Sequence, residues 1–283
     1  MSNKNILENV KKLREMTGVG FKDCKAALDE NNGNIEKSIE FLRKKGIAKA
    51  SKKMSRTAAD GLVLLNQKNN MISAIEINSE TDFVAKNKDF VNFCKEVSEI
   101  NFHNHGNLEK IKASTMSNKK SVEETLINLI SKIGEKITIR RSKFFDNSGK
   151  NFGYVHNSLE KNIGKVLSVV KLKTDKVVEV NEIGTKIAMH IAASAPMAID
   201  KSGLSQQILD KELEIIKEEL KNSGKKDEMV DKISKGKLNK FVSDNTLLNQ
   251  IWIMDTKKKV KDILGENLKV VDFVRFKVGE GIE

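Results

Sequence analysis

The chain has 283 residues, of which 51 are Lys or Arg and 39 are Asp or Glu, so its formal net charge is +12. Hydrophobic residues make up 39%, enough for a packed core, which excludes a wholly disordered protein. A single Pro excludes collagen-like and Pro-rich architectures. The longest uncharged stretch, residues 187–199, is shorter than the roughly 20 apolar residues that cross a bilayer, and the charged N-terminal segment is unlike a signal peptide. We therefore expect a cytoplasmic protein with no membrane partner.

The first 55 residues predict a module of three short helices. Apolar residues recur at helical spacing in three successive segments. A turn at residues 17–20 (Thr-Gly-Val-Gly) separates the first two segments, Gly33 ends the second, and Gly46 is expected to end the third. Seven basic residues and no acidic one then lie within residues 43–59. We interpret this basic run as a solvated linker, either helical or flexible.

Two later stretches of sequence follow the same order of hairpin, helical region and closing strand. In the first, residues 62–77 predict two strands joined by a polar turn, and residues 137–145 alternate as a closing strand. In the second, residues 153–172 predict the hairpin and residues 271–278 the closing strand. The repeated pattern predicts two related subdomains that pack side by side.

The predicted fold class is therefore α+β. The N-terminal three-helix module with its basic linker occupies residues 1–55, the first core subdomain residues 56–145 and the second residues 146–283. The second subdomain carries an insert at about residues 200–240, in which two apolar stripes flank Asn-Ser-Gly at 222–224 and predict an antiparallel helical hairpin. The pattern does not show whether this hairpin is a passive arm or a surface that binds a partner. The partner could also be a second copy of the chain, which would associate through the hairpin.

Residues that carry enzyme chemistry form no recognisable constellation. Cys24 and Cys94 lie in apolar helical patterns and are expected to be buried thiols. His103 and His105 are expected in a solvated loop, and His190 is expected to be packed and hydrogen-bonded in an Ala-rich helix. The sequence has no phosphate-binding Gly-rich loop, dinucleotide fingerprint or nucleophile elbow. We therefore predict no enzyme, with no catalytic residues, no cofactor and no metal.

Residues 76–86 (EINSETDFVAK) are the segment that structural rules explain least well. Thr81 and Asp82 can cap a helix, and a purely structural interpretation then places Phe83 and Val84 in the core. However, two large apolar residues here follow an acidic pair at a strand-to-helix connection, where exposure is usual. Periodicity alone leaves both interpretations open.

The same segment resembles the signature of the bacterial elongation factor Ts family at residues 77–86. Residues 13–28, 187–194 and 278–283 also resemble that family, in family order and over nearly the whole chain. The resemblance implies an N-terminal module like a ubiquitin-associated (UBA) domain, two related core subdomains and a helical-hairpin insert. This fold agrees with the one predicted from the residues.

The resemblance also implies a function, namely guanine nucleotide exchange on elongation factor Tu during translation elongation. In that family a loop that matches Thr81, Asp82, Phe83 and Val84 reaches the GTPase domain of the partner and is associated with dislodging Mg²⁺. An exchange factor of this kind binds the nucleotide-free GTPase and promotes GDP release. These four residues are the principal candidate partner-binding residues.

Three further contact residues are expected from the same resemblance. Val19 and Phe21 are candidates for docking the N-terminal module on the partner, although Phe21 fits a core position equally well. His156 matches a family histidine near the interface of the second subdomain, although a strand-end histidine facing water explains it as well. Ile251 stands where many relatives have Pro, and the chain ends at Glu283, where some relatives add a helix that grips the partner; that contact is expected to be missing or weakened.

Two other functions compete with this interpretation. A basic nucleic-acid-binding protein is suggested by the charge of +12 and by the basic run. However, only six of the 51 basic residues are Arg, whose planar fork suits phosphates and base edges, and residues 43–59 contain no aromatic side chain for base stacking. We therefore expect that no direct nucleic-acid contact is required. A ubiquitin-type adaptor would explain only the N-terminal module.

Overall fold

The chain forms an N-terminal helical module followed by two packed β-sheets with helices on their outer faces. The structure is a computed structural model that describes residues 3–17, 19–174, 180–224 and 226–282. Gly18 of the predicted turn and Glu283 of the C-terminal motif lie outside the described residues.

The helices and strands alternate in the order that the hydrophobic pattern predicts. The N-terminal module contains α1 (Asn3–Thr17), α2 (Phe21–Glu30) and α3 (Ile35–Lys53). The first repeat contains β1 (Asp60–Lys68), β2 (Met71–Ser79), α4 (Asp82–Ala85), α5 (Lys88–His103), α6 (Leu108–Ala113), α7 (Val122–Ile133) and β3 (Ile137–Phe145). The second contains β4 (Lys150–His156), β5 (Ile163–Gly164), β6 (Val166–Thr174), α8 (Asn181–Ser194), α9 (Gln206–Asn222), α10 (Asp227–Asn245), α11 (Val260–Leu264) and β7 (Leu268–Lys277).

The third helix of the N-terminal module does not end at Gly46, as the sequence predicted, but continues to Lys53. Gly46 faces α7, where a Cβ atom would lie 3.7 Å from Ser131 Oγ. Arg43, one turn earlier, forms an ion pair with Glu124 of α7 at 3.1 Å. A glycine inside a helix costs about 1 kcal/mol relative to alanine, and packing against α7 offsets that cost. The first part of the basic run is therefore helical.

The core consists of two antiparallel sheets that pack face to face. The strand order is β3-β2-β1-β5 in the first sheet and β4-β6-β7 in the second. Side chains from both sheets form the shared core between them, namely Val63, Leu65, Ile72, Ala74, Phe145, Leu167, Val169 and Phe276. Helices α5 and α7 cover the outer face of the first sheet, and α8 covers that of the second. Strand β1 is buried on both faces, which explains its continuous apolar run.

The two sheets repeat one arrangement, as predicted. In each, a central strand pairs with its hairpin partner on one side and with the closing strand on the other. Each central strand also shows a register shift against its closing strand, between Glu76 and Ile77 in β2 and between Lys171 and Leu172 in β6. The boundary between the subdomains at residue 145 stays a prediction. Strand β5, which lies in the predicted second subdomain (residues 146–283), pairs with β1 of the first.

The predicted insert is a helical hairpin formed by α9 and α10. Leu209 packs against Val242, and Ile216 and Leu220 pack against Val230, in two small buried clusters. The second helix extends to Asn245, a few residues beyond the predicted insert. The hairpin therefore has its own apolar seam.

A buried carboxylate joins the C-terminal motif to the first sheet. Glu76 of β2 has no exposed surface and accepts hydrogen bonds from Arg140 Nη1 at 3.1 Å, Asn78 Nδ2 at 2.9 Å and Gly279 N at 2.9 Å, and also from Arg141 Nε. Burial alone would raise the pKa of Glu76, but these hydrogen bonds outweigh it and hold the pKa below its ordinary value. The carboxylate is therefore ionised in the folded protein at neutral pH.

The C-terminal motif needs glycine at position 279 for a steric reason. The backbone there has a φ of +75°, and a Cβ atom would lie 2.0 Å from the carbonyl oxygen of Ala59. Any other residue would force the strand end away from Glu76. The motif at residues 278–283 therefore has a structural role at the junction of the subdomains.

Candidate functional site

Phe83 has the most exposed large apolar side chain of the described residues, at 81%. It lies on α4, a single helical turn between β2 and α5. The next two residues, Val84 and Ala85, are buried against the core of the first sheet. The purely structural interpretation is therefore right for Val84 and wrong for Phe83. An exposed aromatic ring adjacent to a buried anchor is a feature expected of a contact surface.

Hydrogen bonds at Thr81 fix the start of this turn. The backbone at Thr81 is extended, and its Oγ1 accepts a hydrogen bond from Val84 N at 3.4 Å, as the predicted cap requires. Thr81 N and Oγ1 also donate to the two carboxylate oxygens of Glu135, at 3.1 and 2.8 Å. The preceding residue, Glu80, accepts from Lys136 N at 2.5 Å and from Arg56 Nη1 at 3.3 Å. The turn that carries Phe83 is thus held by residues distant in sequence.

Asp82 supplies a negative charge beside the exposed ring. Its carboxylate forms an ion pair with Lys86, one turn later, at 2.7 Å. The hydrogen bond from Lys86 lowers the pKa of Asp82, so the side chain is ionised at neutral pH. Both side chains are substantially exposed, so the ion pair is open to solvent.

The structure also identifies residues around Thr81 that the sequence analysis did not name as candidate site residues. Glu135 binds Thr81, and Lys136 and Arg56 bind the preceding residue, Glu80. The pairing of β2 with β3 brings Glu135 and Lys136, just before β3, to the end of β2, and the pairing of β1 with β2 brings Arg56, just before β1, to the same place. Sequence periodicity does not give strand register, so it could not identify these contacts.

The other candidate contact residues form separate patches. Phe21 is the first residue of α2 and is 45% exposed, so it is not a core residue, whereas Val19 is half-buried against the core of the N-terminal module. His156 ends β4, is exposed, and has Nδ1 3.0 Å from Tyr154 Oη. Among the described residues, no hydrogen bond, ion pair or ring contact joins any of the three to residues 81–84. Within the described residues, the three are therefore not bonded to the turn that carries Phe83.

The cysteine thiols and the buried histidine, which could in principle be reactive, are packed in the protein interior. Cys24 and Cys94 are free, buried thiols, and burial raises the pKa of each. His190 is buried, stacks on Trp252 at 5.2 Å and has Nε2 3.0 Å from Gln250 Oε1, and burial lowers its pKa. His105 is exposed beyond α5, as expected, whereas His103, also predicted in a loop, is the last residue of α5. Over the residues that the structure describes, no group of three or more His, Cys, Asp or Glu could hold a metal ion, and no helix is long and apolar enough to cross a bilayer.

The cations of the basic run are largely paired within the chain. Their partners lie on α2, α3 itself, α7 and the residues around Thr81. The pairs and contacts are Arg43 with Glu124, Lys44 with Glu40, Lys45 with Asp23, Lys53 with the carbonyl oxygen of Gly134, and Arg56 with Glu80. These contacts neutralise part of the positive charge that a phosphate-binding stripe would use, which weighs against the nucleic-acid alternative.

Comparison with known proteins adds an independent observation. A family model described as elongation factor TS matches residues 80–280. A protein named elongation factor Ts from Methylorubrum extorquens (strain PA1) is 41% identical over 284 residues, which cover 97% of this chain and 92% of that protein. Proteins of the same name from Xanthobacter autotrophicus and Rickettsia bellii are 42% and 38% identical, over 97% and 100% of this chain and 92% and 95% of their own lengths.

Proposed function

The chain belongs to the elongation factor Ts family of translation elongation factors, and we propose that it acts as the guanine nucleotide exchange factor of elongation factor Tu. In this proposal it binds the nucleotide-free GTPase, promotes GDP release and displaces Mg²⁺. The observation that carries the proposal is the 81% exposed ring of Phe83 on a turn that other residues hold in place.

The energetic requirement for exchange is differential binding. A factor accelerates GDP release only if it binds the empty GTPase more tightly than the loaded one. The coupling is reciprocal, so each tenfold loss of GDP affinity corresponds to about 1.4 kcal/mol of binding preference for the empty state. No covalent bond forms or breaks, and the factor therefore needs neither a nucleophile nor an acid/base pair.

Phe83 is proposed as a wedge that enters the GTPase domain of the partner. Burial of a phenylalanine side chain contributes roughly 1.5–3 kcal/mol, which is enough to account for a tenfold to hundredfold change in nucleotide affinity. Asp82 is proposed to act with its ionised carboxylate near the Mg²⁺ site of the partner. Thr81 and Val84 hold the shape of the turn, through the cap and through burial in the core.

The decisive experiment measures the release of fluorescent GDP from elongation factor Tu with and without this protein. We expect the wild-type factor to accelerate release and Phe83→Ala to reduce the stimulated rate by roughly tenfold or more. Leu159→Ala, which also truncates an exposed apolar side chain, serves as the matched control and should leave the rate unchanged. An unstimulated rate with wild-type factor would refute the exchange function, and a normal rate with Phe83→Ala would refute the wedge.

The N-terminal module is proposed to dock on the same domain of the partner through Phe21 and Val19. Deletion of residues 1–55 should weaken binding to nucleotide-free elongation factor Tu, because the exposed Phe21 is lost; the deletion also removes Ala50 from the first core and the contact of Lys53 with Gly134, so the point variant Phe21→Ala is needed beside it. Full-length Phe21→Ala should weaken binding in the same direction but less. Titration calorimetry measures both affinities, and equal affinity for the truncated and full-length chains would contradict docking.

His156 is proposed as a contact of the second subdomain with a distant domain of the partner. It is exposed at the end of β4, and its imidazole is oriented by Tyr154. Self-association through the helical hairpin stays a prediction.

A further inference from the structure

One short turn contacts both the Phe83 segment and the end of the N-terminal module. Helix α7 ends at Ile133, and Gly134, with a φ of +91°, caps it and turns the chain toward β3. Three consecutive residues, Gly134, Glu135 and Lys136, follow this helix end and begin the connection to β3. We call residues 134–136 the clamp.

On one side the clamp holds the connection that carries Phe83. Glu135 accepts hydrogen bonds from Thr81 N at 3.1 Å and from Thr81 Oγ1 at 2.8 Å, so both carboxylate oxygens bind one residue. Lys136 N donates to Glu80 Oε1 at 2.5 Å. Hydrogen bonds to an ionised carboxylate are stronger than neutral ones. The half-buried Thr81 is thereby held by Glu135 as well as by its cap contact with Val84.

On its other side the clamp holds the linker from the N-terminal module. The carbonyl oxygen of Gly134 accepts a hydrogen bond from Lys53 Nζ at the end of α3. Lys136 Nζ donates to the carbonyl oxygen of Arg56 at 2.7 Å, and Arg56 in turn contacts Glu80. The end of the module and the start of α4 therefore share one anchor.

The isolated α4 turn cannot hold its own conformation. A helix of four residues is too short to be stable by itself, because nucleation costs more than one turn of hydrogen bonds returns. Its conformation depends on the burial of Val84 and Ala85 and on the contacts at Thr81. The contacts at Thr81, with those of Lys136 and Arg56 at Glu80, act on the part of the chain that precedes the exposed ring.

We propose that Glu135 is a positioning residue for partner binding, which acts by holding Thr81 so that the ring of Phe83 is presented in one orientation. This inference rests on the proposed function. A ring that is already ordered loses less conformational entropy when a partner covers it, so binding is tighter. Glu135 itself would not touch the nucleotide or Mg²⁺.

The test compares Glu135→Ala with Glu135→Gln in the full-length protein. The alanine variant loses both contacts with Thr81, and we expect it to slow factor-stimulated release of fluorescent GDP about fivefold to tenfold. A glutamine can still accept from Thr81 N and can donate its amide N–H to Thr81 Oγ1, so it should keep the rate within about threefold of wild type. Glu123→Ala, on the exposed face of α7, is the matched control.

A double-mutant cycle separates positioning of the ring from a general structural effect. If Glu135 acts through Phe83, the alanine change should have little further effect in a Phe83→Ala background. The inference is overturned if Glu135→Ala stimulates release at the wild-type rate, if glutamine fails to rescue a folded protein, or if the loss persists undiminished without Phe83. Failure of the wild-type factor to stimulate release would instead refute the proposed function, so the two outcomes are distinct. Circular dichroism of each variant checks that it is folded.

Discussion

The two core subdomains share one arrangement of strands and differ in the connections between them. In the first, the connection from β2 to α5 contains the one-turn helix α4 and exposes Phe83. In the second, the segment between α8 and β7 contains the helical hairpin of α9 and α10. The strands of both form the core between the sheets and the surfaces that the helices cover. The features that distinguish the two copies, the exposed Phe83 and the helical hairpin, therefore lie on the connections, while the repeated scaffold holds them in place.

The subdomains also differ in the charge at the register shift of the central strand. Glu76 in β2 has no exposed surface and binds groups from three parts of the chain. Lys171 in β6 is also nearly buried, but its partner Asp146 has a side chain that is 60% exposed. The same place in the repeat holds a closed charge cluster in one copy and an ion pair open to water in the other. This difference predicts unequal costs of mutation.

The largest expected effect tests whether the shared core makes the two subdomains one cooperative unit. Phe90 of α5 is fully buried in the first subdomain, so Phe90→Ala should lower the free energy of unfolding by about 3–5 kcal/mol. Trp252, the single tryptophan, is buried in the second subdomain and reports on it alone by fluorescence. In urea, the fluorescence and circular dichroism transitions should shift together.

The matched control for this variant is Phe83→Ala, which removes the same ring from an exposed position and should change stability by less than about 0.5 kcal/mol. A tryptophan transition that stays at its wild-type midpoint in Phe90→Ala would show instead that the subdomains unfold independently.

A smaller effect tests the closed charge cluster. Glu76→Gln replaces one carboxylate oxygen, which accepts hydrogen bonds, by an amide N–H₂ group that faces the same donors. We expect the free energy of unfolding to fall by about 2–3 kcal/mol at pH 7. Because the pKa of Glu76 is lowered by folding, its contribution is complete above the unfolded pKa and is lost as pH falls through the folded pKa. The difference between wild type and variant should therefore shrink below about pH 4.5. Urea unfolding over pH 3–7 measures this difference in the free energy of unfolding. A difference that stays constant over that range would contradict a lowered pKa for Glu76.

The smallest effect concerns the open ion pair of the second subdomain. Lys171→Met keeps the apolar stem and removes the ammonium group, while the exposed Asp146 keeps its water. We expect a change of less than about 1 kcal/mol in the free energy of unfolding. If Lys171→Met were as costly as Glu76→Gln, the contrast between the two charge sites would disappear.

The site was partly predictable from sequence. The cap at Thr81 follows from local chemistry, and the exposure of Phe83 was one of two readings that periodicity allowed until the family resemblance favoured it. Glu135 was not predictable, because its proximity to Thr81 depends on the pairing of β2 with β3, which are far apart in the sequence. Arg56 reaches Glu80 at the open end of the predicted β1–β2 hairpin, but periodicity does not show which side chains bond there. The end predicted for the third helix at Gly46 was wrong, since packing on α7 overrides the local preference of glycine.

The order of helices and strands, the repeat and the position of the helical hairpin follow from the amino-acid sequence, because hydrophobic periodicity shows which faces of each element are buried. The shared core of the two sheets, the exposure of Phe83 beside the buried Val84, and the link from Glu76 to the C-terminal motif emerge only in the folded protein. They depend on strand register and packing, which bring together residues far apart in the chain and leave no mark in a local pattern.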